Sequence, residues 1–593
     1  MRSWARYSLV GLLFLQTSRA LPSAFGALAW LWQDQYGTGP HNEISMTSGP
    51  PVDEPLSSGA VASESAVCSQ IGIDILKQGG NAADSMVATT LCVGVIASYH
   101  SGIGGGGFML VRDEEGCYEF IDFRETAPAA ATTNMFKNDV NASIYGGLAS
   151  GVPGEISGLA YLHKHYGRLA WKDVVSPAVK IAHNGFVVTQ DLLRFMNAAI
   201  KERGHNFFVE DRNWAIDFAP NGVLPRLGDT ISRKRFARTL EKIARLGPKA
   251  FYKGKIADSI VKTVSQNGGI LTQADLKNYK AVTGKVYNIS YRDFRIYGGS
   301  APSSGAVALS VMKIIEGYSD IGQTDSLNIS THRFDEALRF AYGQRSELGD
   351  PAFVDGIGEY EEDLFSTATA ADIRGKINDY HTQNVSAYDP SGFESLETPG
   401  TSGIVTMDGN GLAVSLTTTV NLLFGSQIVD METGIIMNNE MNDFSIPGIS
   451  NAFGYIPSPN NYVEPGKRPL SSIVPTIVEH RNGTLYYLIA AAGGSRIITS
   501  TLQNVWNVLD RNMTAAQANA EPRLHDQLVP NVVTFEYTYN NDTVAFMKGR
   551  KHNITYVAPG QSATQSILRL ANGSLVAAAE SRQKNSGGFV WEE

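Results

Sequence analysis

The sequence predicts a mixed fold of helices and sheets, the α/β or α+β class, on three observations. Helical and strand patterns alternate from residue 60 to about residue 380. The chain then turns strand-like from residue 401 onward. A buried-type strand over 485–492 runs through Gly493-Gly494 into a helix over 495–509. The 593 residues are 43% hydrophobic and 18% charged, enough apolar material for a large core and roughly two to four folding units. A net charge of -9 argues against a broad nucleic-acid surface, which needs clustered positive charge to displace counterions from phosphates. Glycine is frequent, at 59 residues, without a collagen-like period, so tight turns and close backbone approaches are expected.

In chain order, Arg2 and Arg6 precede an apolar run over 9–15 and the small-residue exit Ser18-Arg19-Ala20. A basic head, short apolar core and small exit read as a signal peptide over 1–20. A second apolar patch over 24–32 leaves a membrane anchor as the alternative, although both runs fall short of the roughly 20 residues a span needs. Residues 21–59 read as a flexible linker. Nine Asn-x-Ser/Thr sites, at Asn141, Asn288, Asn328, Asn384, Asn482, Asn512, Asn541, Asn553 and Asn572, point to glycosylation in a secretory lumen and an extracellular or vacuolar address.

An apolar-periodic helix over 69–77, with Cys68 at its head, stops at Gly79-Gly80, and a second helix starts at Asn81, with Asp84 placed to serve its first turn. Cys68 and Cys92 each lie 12 residues from position 80, so an antiparallel helical hairpin sets them level and predicts a disulfide. Cys117 is left over beside a hairpin turn at 113–116, between strands over 107–112 and 117–123. Helices are expected over 237–246 and 256–267, each ended by glycine. A loose stretch over 387–400 precedes strands over 402–407 and 412–420.

Several chemistries are absent. No His-Glu-x-x-His, Cys-x-x-Cys or Gly-x-Ser-x-Gly occurs, and His163-Lys-His165 reads as a wet helix face, so neither a metal nor a cofactor is expected. Gly102-Ile-Gly104-Gly-Gly-Gly107 satisfies the dinucleotide pattern but follows a helix and enters a strand, the reverse of the nucleotide-binding context. It reads as a tight turn or a close backbone approach.

The informative constellation surrounds Gly400-Thr401-Ser402, which opens a strand. Thr417-Thr418-Thr419-Val420-Asn421 follows, then Asn438-Asn439-Glu440-Met441-Asn442-Asp443, Gly466-Lys-Arg-Pro-Leu-Ser471-Ser472 and Ala492-Gly493-Gly494-Ser495-Arg496. Together with Asp122-Phe123-Arg124-Glu125-Thr-Ala-Pro, Pro302-Ser303-Ser304-Gly305 and Ala341-Tyr-Gly-Gln-Arg-Ser-Glu-Leu-Gly-Asp350, the sequence resembles the γ-glutamyltranspeptidase (glutathione hydrolase) family from about residue 60 onward.

The resemblance implies an N-terminal-nucleophile hydrolase with an αββα sandwich. Its precursor cuts itself at Gly400–Thr401, giving a large subunit over 60–400 and a small subunit over 401–593 that form a heterodimer. Thr401 is the implied nucleophile, Thr419 its hydrogen-bonding partner, and Gly493 and Gly494 the oxyanion hole. A γ-glutamyl group ends in an α-carboxylate and an α-ammonium. Arg124, Ser471 and Ser472 are expected to hold the first, and Asn421, Glu440 and Asp443 the second. The implied substrates are glutathione and related γ-glutamyl compounds, with water, amino acids or dipeptides as acceptors. An acylase of cephalosporin or glutaryl type is the same-fold alternative, which Asp443 disfavours. An unprocessed binding protein is the alternative of another class. Two positions depart from the family pattern: Gly403 where many members carry histidine, and Val405 where serine is frequent. Phe453 falls near the lid tyrosine of bacterial members.

Overall fold

The computed structural model describes residues 58–389, 391–393, 400–449 and 456–592. The expected signal peptide, most of the linker and Phe453 lie outside the described residues. Two antiparallel sheets organise the chain. The first has seven strands, in the order Gly587–Glu592, Ser58–Ser63, Ser402–Asp408, Ala413–Thr419, Gly106–Arg112, Tyr118–Asp122 and Val282–Gly284. The second has six: Leu575–Ala578, Ala563–Arg569, Leu485–Ala492, Thr476–His480, Phe294–Gly299 and Val286–Tyr291. The strand Ser58–Ser63 begins inside the expected linker, because its registry between Glu592 and Asp408 continues through Ser58 and Gly59.

The alternation along the central strands assigns the layers. In Ser402–Asp408, Val405 and Met407 face the second sheet and join Ala413, Leu488, Ala490 and Ile567 in the inter-sheet core. Ile404, Val414 and Leu416 face outward instead, toward helices Ala82–Ile96, Trp171–Asn184 and Lys234–Leu246. Helices Gly305–Glu316, Leu327–Arg345 and Arg496–Leu509 cover the second sheet's outer face. The result is the four-layer αββα order, with both faces of each sheet buried, which is why these strands read as near-continuous apolar runs. The sheets approach closely at their centre. Ser415 Oγ donates to the Ile489 carbonyl across the gap at 2.7 Å, and a Cβ at Gly403 would stand 2.8 Å from the Ala490 carbonyl carbon. A side chain there would force the two sheets apart, so glycine at position 403 is a packing requirement of this chain.

The helical hairpin forms as its caps dictate. Asn81 accepts from the Ala83 and Asp84 N–H groups while Asp84 accepts from the Asn81 N–H, a reciprocal capping box. Cys68 and Cys92 are disulfide-bonded with Cα atoms 5.4 Å apart, and Cys117 is free and exposed. His163 corrects the reading of a wet helix face. Its ring is mostly buried, 2.9 Å from the Leu169 carbonyl, because the loop after its helix folds back over it. The glycine run packs backbone on backbone: a Cβ at Gly105 would lie 2.0 Å from the Thr419 carbonyl oxygen. Of the nine sequon asparagines, all but Asn328 are exposed, and Asn328 Oδ1 accepts from the Thr543 hydroxyl. No helix among the described residues is long and apolar enough to cross a membrane.

Candidate active site

Thr401 sits at the head of a central strand of the first sheet, 5% exposed, where five other segments converge. Its backbone is unusual. Gly400 has φ 137° and Thr401 φ 115°, a conformation that a β-branched residue rarely adopts. Asn421, Gly493 and Gly494 also have positive φ, of 71°, 124° and 60°. Gly400 has no substitute, since a Cβ there would lie 1.7 Å from the Asn421 carbonyl oxygen.

The Gly493 N–H donates to the Gly400 carbonyl oxygen at 3.3 Å. That donor comes from the junction between strand Leu485–Ala492 and helix Arg496–Leu509, where a helix N-terminus leaves N–H groups facing outward. A Cβ at Gly493 would meet the Gln561 carbonyl at 2.7 Å. Thr419 ends the neighbouring strand, and its hydroxyl oxygen accepts from the Asn421 N–H at 2.7 Å.

One polar pocket is lined by Arg124, Thr401, Thr419, Asn421, Glu440, Asp443, Ser471, Ser472 and Gly494. Every predicted site residue but Gly400 and Gly493 lies in it. Those two line the adjoining wider cleft, with His100, Arg194, Glu202 and Gln583. Charge pairing inside the pocket departs from the expectation that the arginine and the two acids serve opposite ends of a ligand. The Arg124 guanidinium is bound by both Glu440 and Asp443. All three are buried, and opposite charges taken out of water pair with each other. The second oxygen of each acid, Glu440 Oε2 and Asp443 Oδ1, has no hydrogen-bond partner. Burial pushes the Asp443 carboxyl above its ordinary value, with Arg124 opposing the shift.

The supporting residues carry motifs whose roles the sequence left unassigned. Asp122 accepts from the Arg124 N–H at 2.8 Å and pairs with Arg468 at 3.2 Å, tying the Arg124 turn to the segment that bears Ser471. Asp350 accepts from the Arg468 N–H at 2.8 Å. Ser304 Oγ donates to the Ser471 carbonyl at 2.6 Å and accepts from Arg345 Nε at 3.1 Å. The Ser471 hydroxyl oxygen in turn accepts from the Ile473 N–H at 3.2 Å. Glu125, beside Arg124, is fully buried with neither oxygen hydrogen-bonded, and burial raises its carboxyl to about 8. These residues lie inside the quoted motifs, and only the fold reveals which of them touch.

Two packed antiparallel sheets between helical layers, with a strained threonine opening a central strand beside a backbone N–H that donates to the preceding carbonyl, have the fold of the N-terminal-nucleophile hydrolases. The model of the family described as gamma-glutamyltranspeptidase matches residues 68–590, so the chain belongs to that family. It is 53% identical over 543 residues to the glutathione hydrolase proenzyme of Arthroderma benhamiae, covering 90% of this chain and 92% of that one. It is 36% identical to the glutathione hydrolase proenzyme of Escherichia coli, covering 88% and 90%. Among solved structures it resembles the cephalosporin acylase of Bacillus halodurans, with a TM-score of 0.79 and 26% identity over 94% of this chain and all of that one. It also resembles the gamma-glutamyltranspeptidase of Helicobacter pylori, with a TM-score of 0.51 and 31% identity over 58% of this chain and 96% of that one.

Proposed function

We propose that this protein cleaves its own chain between Gly400 and Thr401 and then hydrolyses or transfers γ-glutamyl groups from glutathione and related amides. The contact between the Gly493 N–H and the Gly400 carbonyl carries the reading. An N–H aimed at the carbonyl oxygen of a bond whose next residue is a buried, strained threonine is what an intramolecular acyl shift requires. The Thr401 hydroxyl adds to the Gly400 carbonyl carbon, the C–N bond breaks, and the amide becomes an ester. Water then splits the ester, leaving a Gly400 carboxylate and a free Thr401 amine. The positive φ of Thr401, worth about 1–3 kcal/mol for such conformations, ceases to be a constraint once its N-terminal peptide bond is gone.

The freed amine becomes the general base for the same hydroxyl, which attacks the γ-glutamyl carbonyl. Gly493 and Gly494 stabilise the oxyanion, Thr419 orients the hydroxyl, and the departing amine leaves an acyl-Thr401 ester. Water, an amino acid or a dipeptide then takes the acyl group. The pocket's internal ion pairs suit a zwitterion. An α-carboxylate takes a share of Arg124 with the Ser471 and Ser472 hydroxyls, while an α-ammonium reaches the unpartnered oxygens of Glu440 and Asp443 and the Asn421 side chain. The adjoining cleft, with Arg194 and Glu202 on its walls, supports a place for the leaving group and the acceptor. The leader-like N-terminus and the exposed sequons support maturation in the secretory pathway, with the segments before and after the cut remaining together as a heterodimer.

Intact-mass and N-terminal analysis of denatured, deglycosylated protein tests the reading. A fragment starting at Thr401 is expected from the wild type, and an uncut chain from Thr401→Ala. An uncut wild-type chain would overturn it.

A further inference from the structure

Helix Leu327–Arg345, in the outer layer of the second sheet, carries His332, Asp335 and Glu336 on one buried stretch. His552, from the turn after helix Asn541–Gly549, meets them. His332 Nδ1 and His552 Nε2 are 2.8 Å apart, Glu336 Oε1 is 3.9 Å from His552 Nε2, and the three ligand-type atoms all lie within 4.8 Å of one another. None of these residues belongs to the pocket around Thr401.

Proton counting gives this cluster its meaning. His332 Nε2 lies 2.9 Å from the Asn378 carbonyl, which only accepts, so that nitrogen carries the ring proton and Nδ1 presents a lone pair to the centre. His552 Nδ1 lies 3.2 Å from Asp335 Oδ2, at ion-pair distance but not aligned as a hydrogen bond. If that nitrogen carries the proton opposite the carboxylate, the two inner nitrogens face each other lone pair to lone pair. A cation between them removes the conflict. If the proton sits on Nε2 instead, His552 satisfies His332 but sets a lone pair against Asp335, and Asp335 must be protonated. That second arrangement leaves Glu336 Oε1, fully buried, without any donor. The other Glu336 oxygen accepts from the Tyr388 hydroxyl at 2.6 Å, which orients the carboxylate toward the histidines. Arg339, on the same helix, donates its two terminal nitrogens to Asp526 and Asn531 at 2.8 Å each and makes no hydrogen bond to Glu336.

We infer that His332, Glu336 and His552 bind a divalent transition-metal ion of the zinc class, with the Asn378 carbonyl fixing the His332 tautomer and the Asp335 carboxylate facing His552 Nδ1 as a counter-charge. Metal–ligand distances of about 2.0–2.2 Å put neighbouring ligands roughly 3.3–3.5 Å apart in a tetrahedral shell. Two of the spacings, 2.8 and 3.9 Å, bracket that value and all three lie within 4.8 Å, so closure needs the side chains to draw in by up to about an ångström. A carboxylate or carbonyl behind each ligating histidine is the usual supporting arrangement. No motif announced the site, because His332 and His552 are 220 residues apart. Its ligands come from both sides of Gly400–Thr401, so the ion clamps the segment before that bond to the segment after it. This inference stands whether or not the γ-glutamyl reading holds.

The test is metal analysis of the full-length protein after dialysis against metal-free buffer, then Co²⁺ titration of chelator-treated protein followed by visible absorption. About one zinc ion per chain is expected, with Co²⁺ giving tetrahedral d–d bands and no thiolate charge-transfer band. Glu336→Gln should abolish stoichiometric binding, and Asp335→Asn, which spares the ligands, should weaken it about 10- to 100-fold. If Glu336→Gln does not fold, the Co²⁺ spectrum of the wild type and the Asp335→Asn affinity decide. Wild-type protein that carries no stoichiometric metal and shows no Co²⁺ bands would overturn the assignment in favour of a proton-linked cluster. Equal binding by the wild type and both variants would overturn it as well.

Discussion

Between the two sheets, Val405, Met407, Ala413 and Leu488 pack as an ordinary apolar core on regular strands. One residue beyond the start of the same strand, the chain does the opposite. Gly400, Thr401, Asn421, Gly493 and Gly494 all hold positive φ, and Arg124, Glu440 and Asp443 bury charge against charge. The core settles its hydrogen bonds in ladders and buries carbon, whereas the pocket keeps carboxylate oxygens without donors. The contrast teaches that the strain and the buried charge are tolerable because two rigid, fully covered sheets hold their ends in place.

Substitutions should separate the two regions. Leu488→Ala, in the core, should lower unfolding free energy by about 2–5 kcal/mol, read by denaturant titration in the uncut Thr401→Ala background, while leaving kcat per folded molecule of the processed protein unchanged by active-site counting. Gly493→Ala should act on the pocket instead. Alanine keeps the backbone N–H, but its Cβ would meet the Gln561 carbonyl at 2.7 Å in a backbone held at φ 124°, so the donor must shift away from the Gly400 carbonyl. Misplacing that donor should cut kcat about 10²–10³-fold and slow the appearance of the Thr401 N-terminus, with a loss of stability from the strained φ beside it. If Gly493→Ala left both rates intact, the pocket would lose its distinguishing feature. Asp443→Asn removes a charge but keeps the shape, and kcat/KM for γ-glutamyl amides should fall by roughly 1.5–3 kcal/mol, mostly through KM. Direct assay of a glutaryl amide beside the γ-glutamyl amide sharpens this, because the former has no ammonium to lose.

The smallest effect concerns pH. Glu125 rises from an ordinary 4.5 to about 8 through burial. Between those values the folded chain keeps a proton that the unfolded chain has released, so Glu125 makes stability fall as pH rises through that window. Glu125→Gln should flatten the slope of Tm against pH between about 5 and 8. An unchanged slope would show that burial of this carboxyl is relieved in some other way.

Much of this was legible beforehand. The strand over 485–492 matches its bounds, the Asn81 cap and the Cys68–Cys92 bridge follow from local signals, and the motif residues around Thr401 do share one pocket. What was not legible is pairing across long sequence distances. Arg124 binding both acids, Arg468 bridging to Asp122 and Arg345 reaching Ser304 span up to 346 positions, and no periodicity encodes which buried charge meets which. His163 was misread for the same reason, since its cover comes from a loop rather than from its own helix.

The strand Ser58–Ser63 lies between Ser402–Asp408 and Gly587–Glu592, so material from before Gly400 is threaded through material from after it in one sheet. A chain severed at that bond would therefore be two polypeptides with a single folded form. Coming apart and unfolding would be one event, insensitive to dilution on the way out. Reassembly of the separated fragments would become a bimolecular search, so the stability of the mature protein would be a matter of lifetime rather than equilibrium.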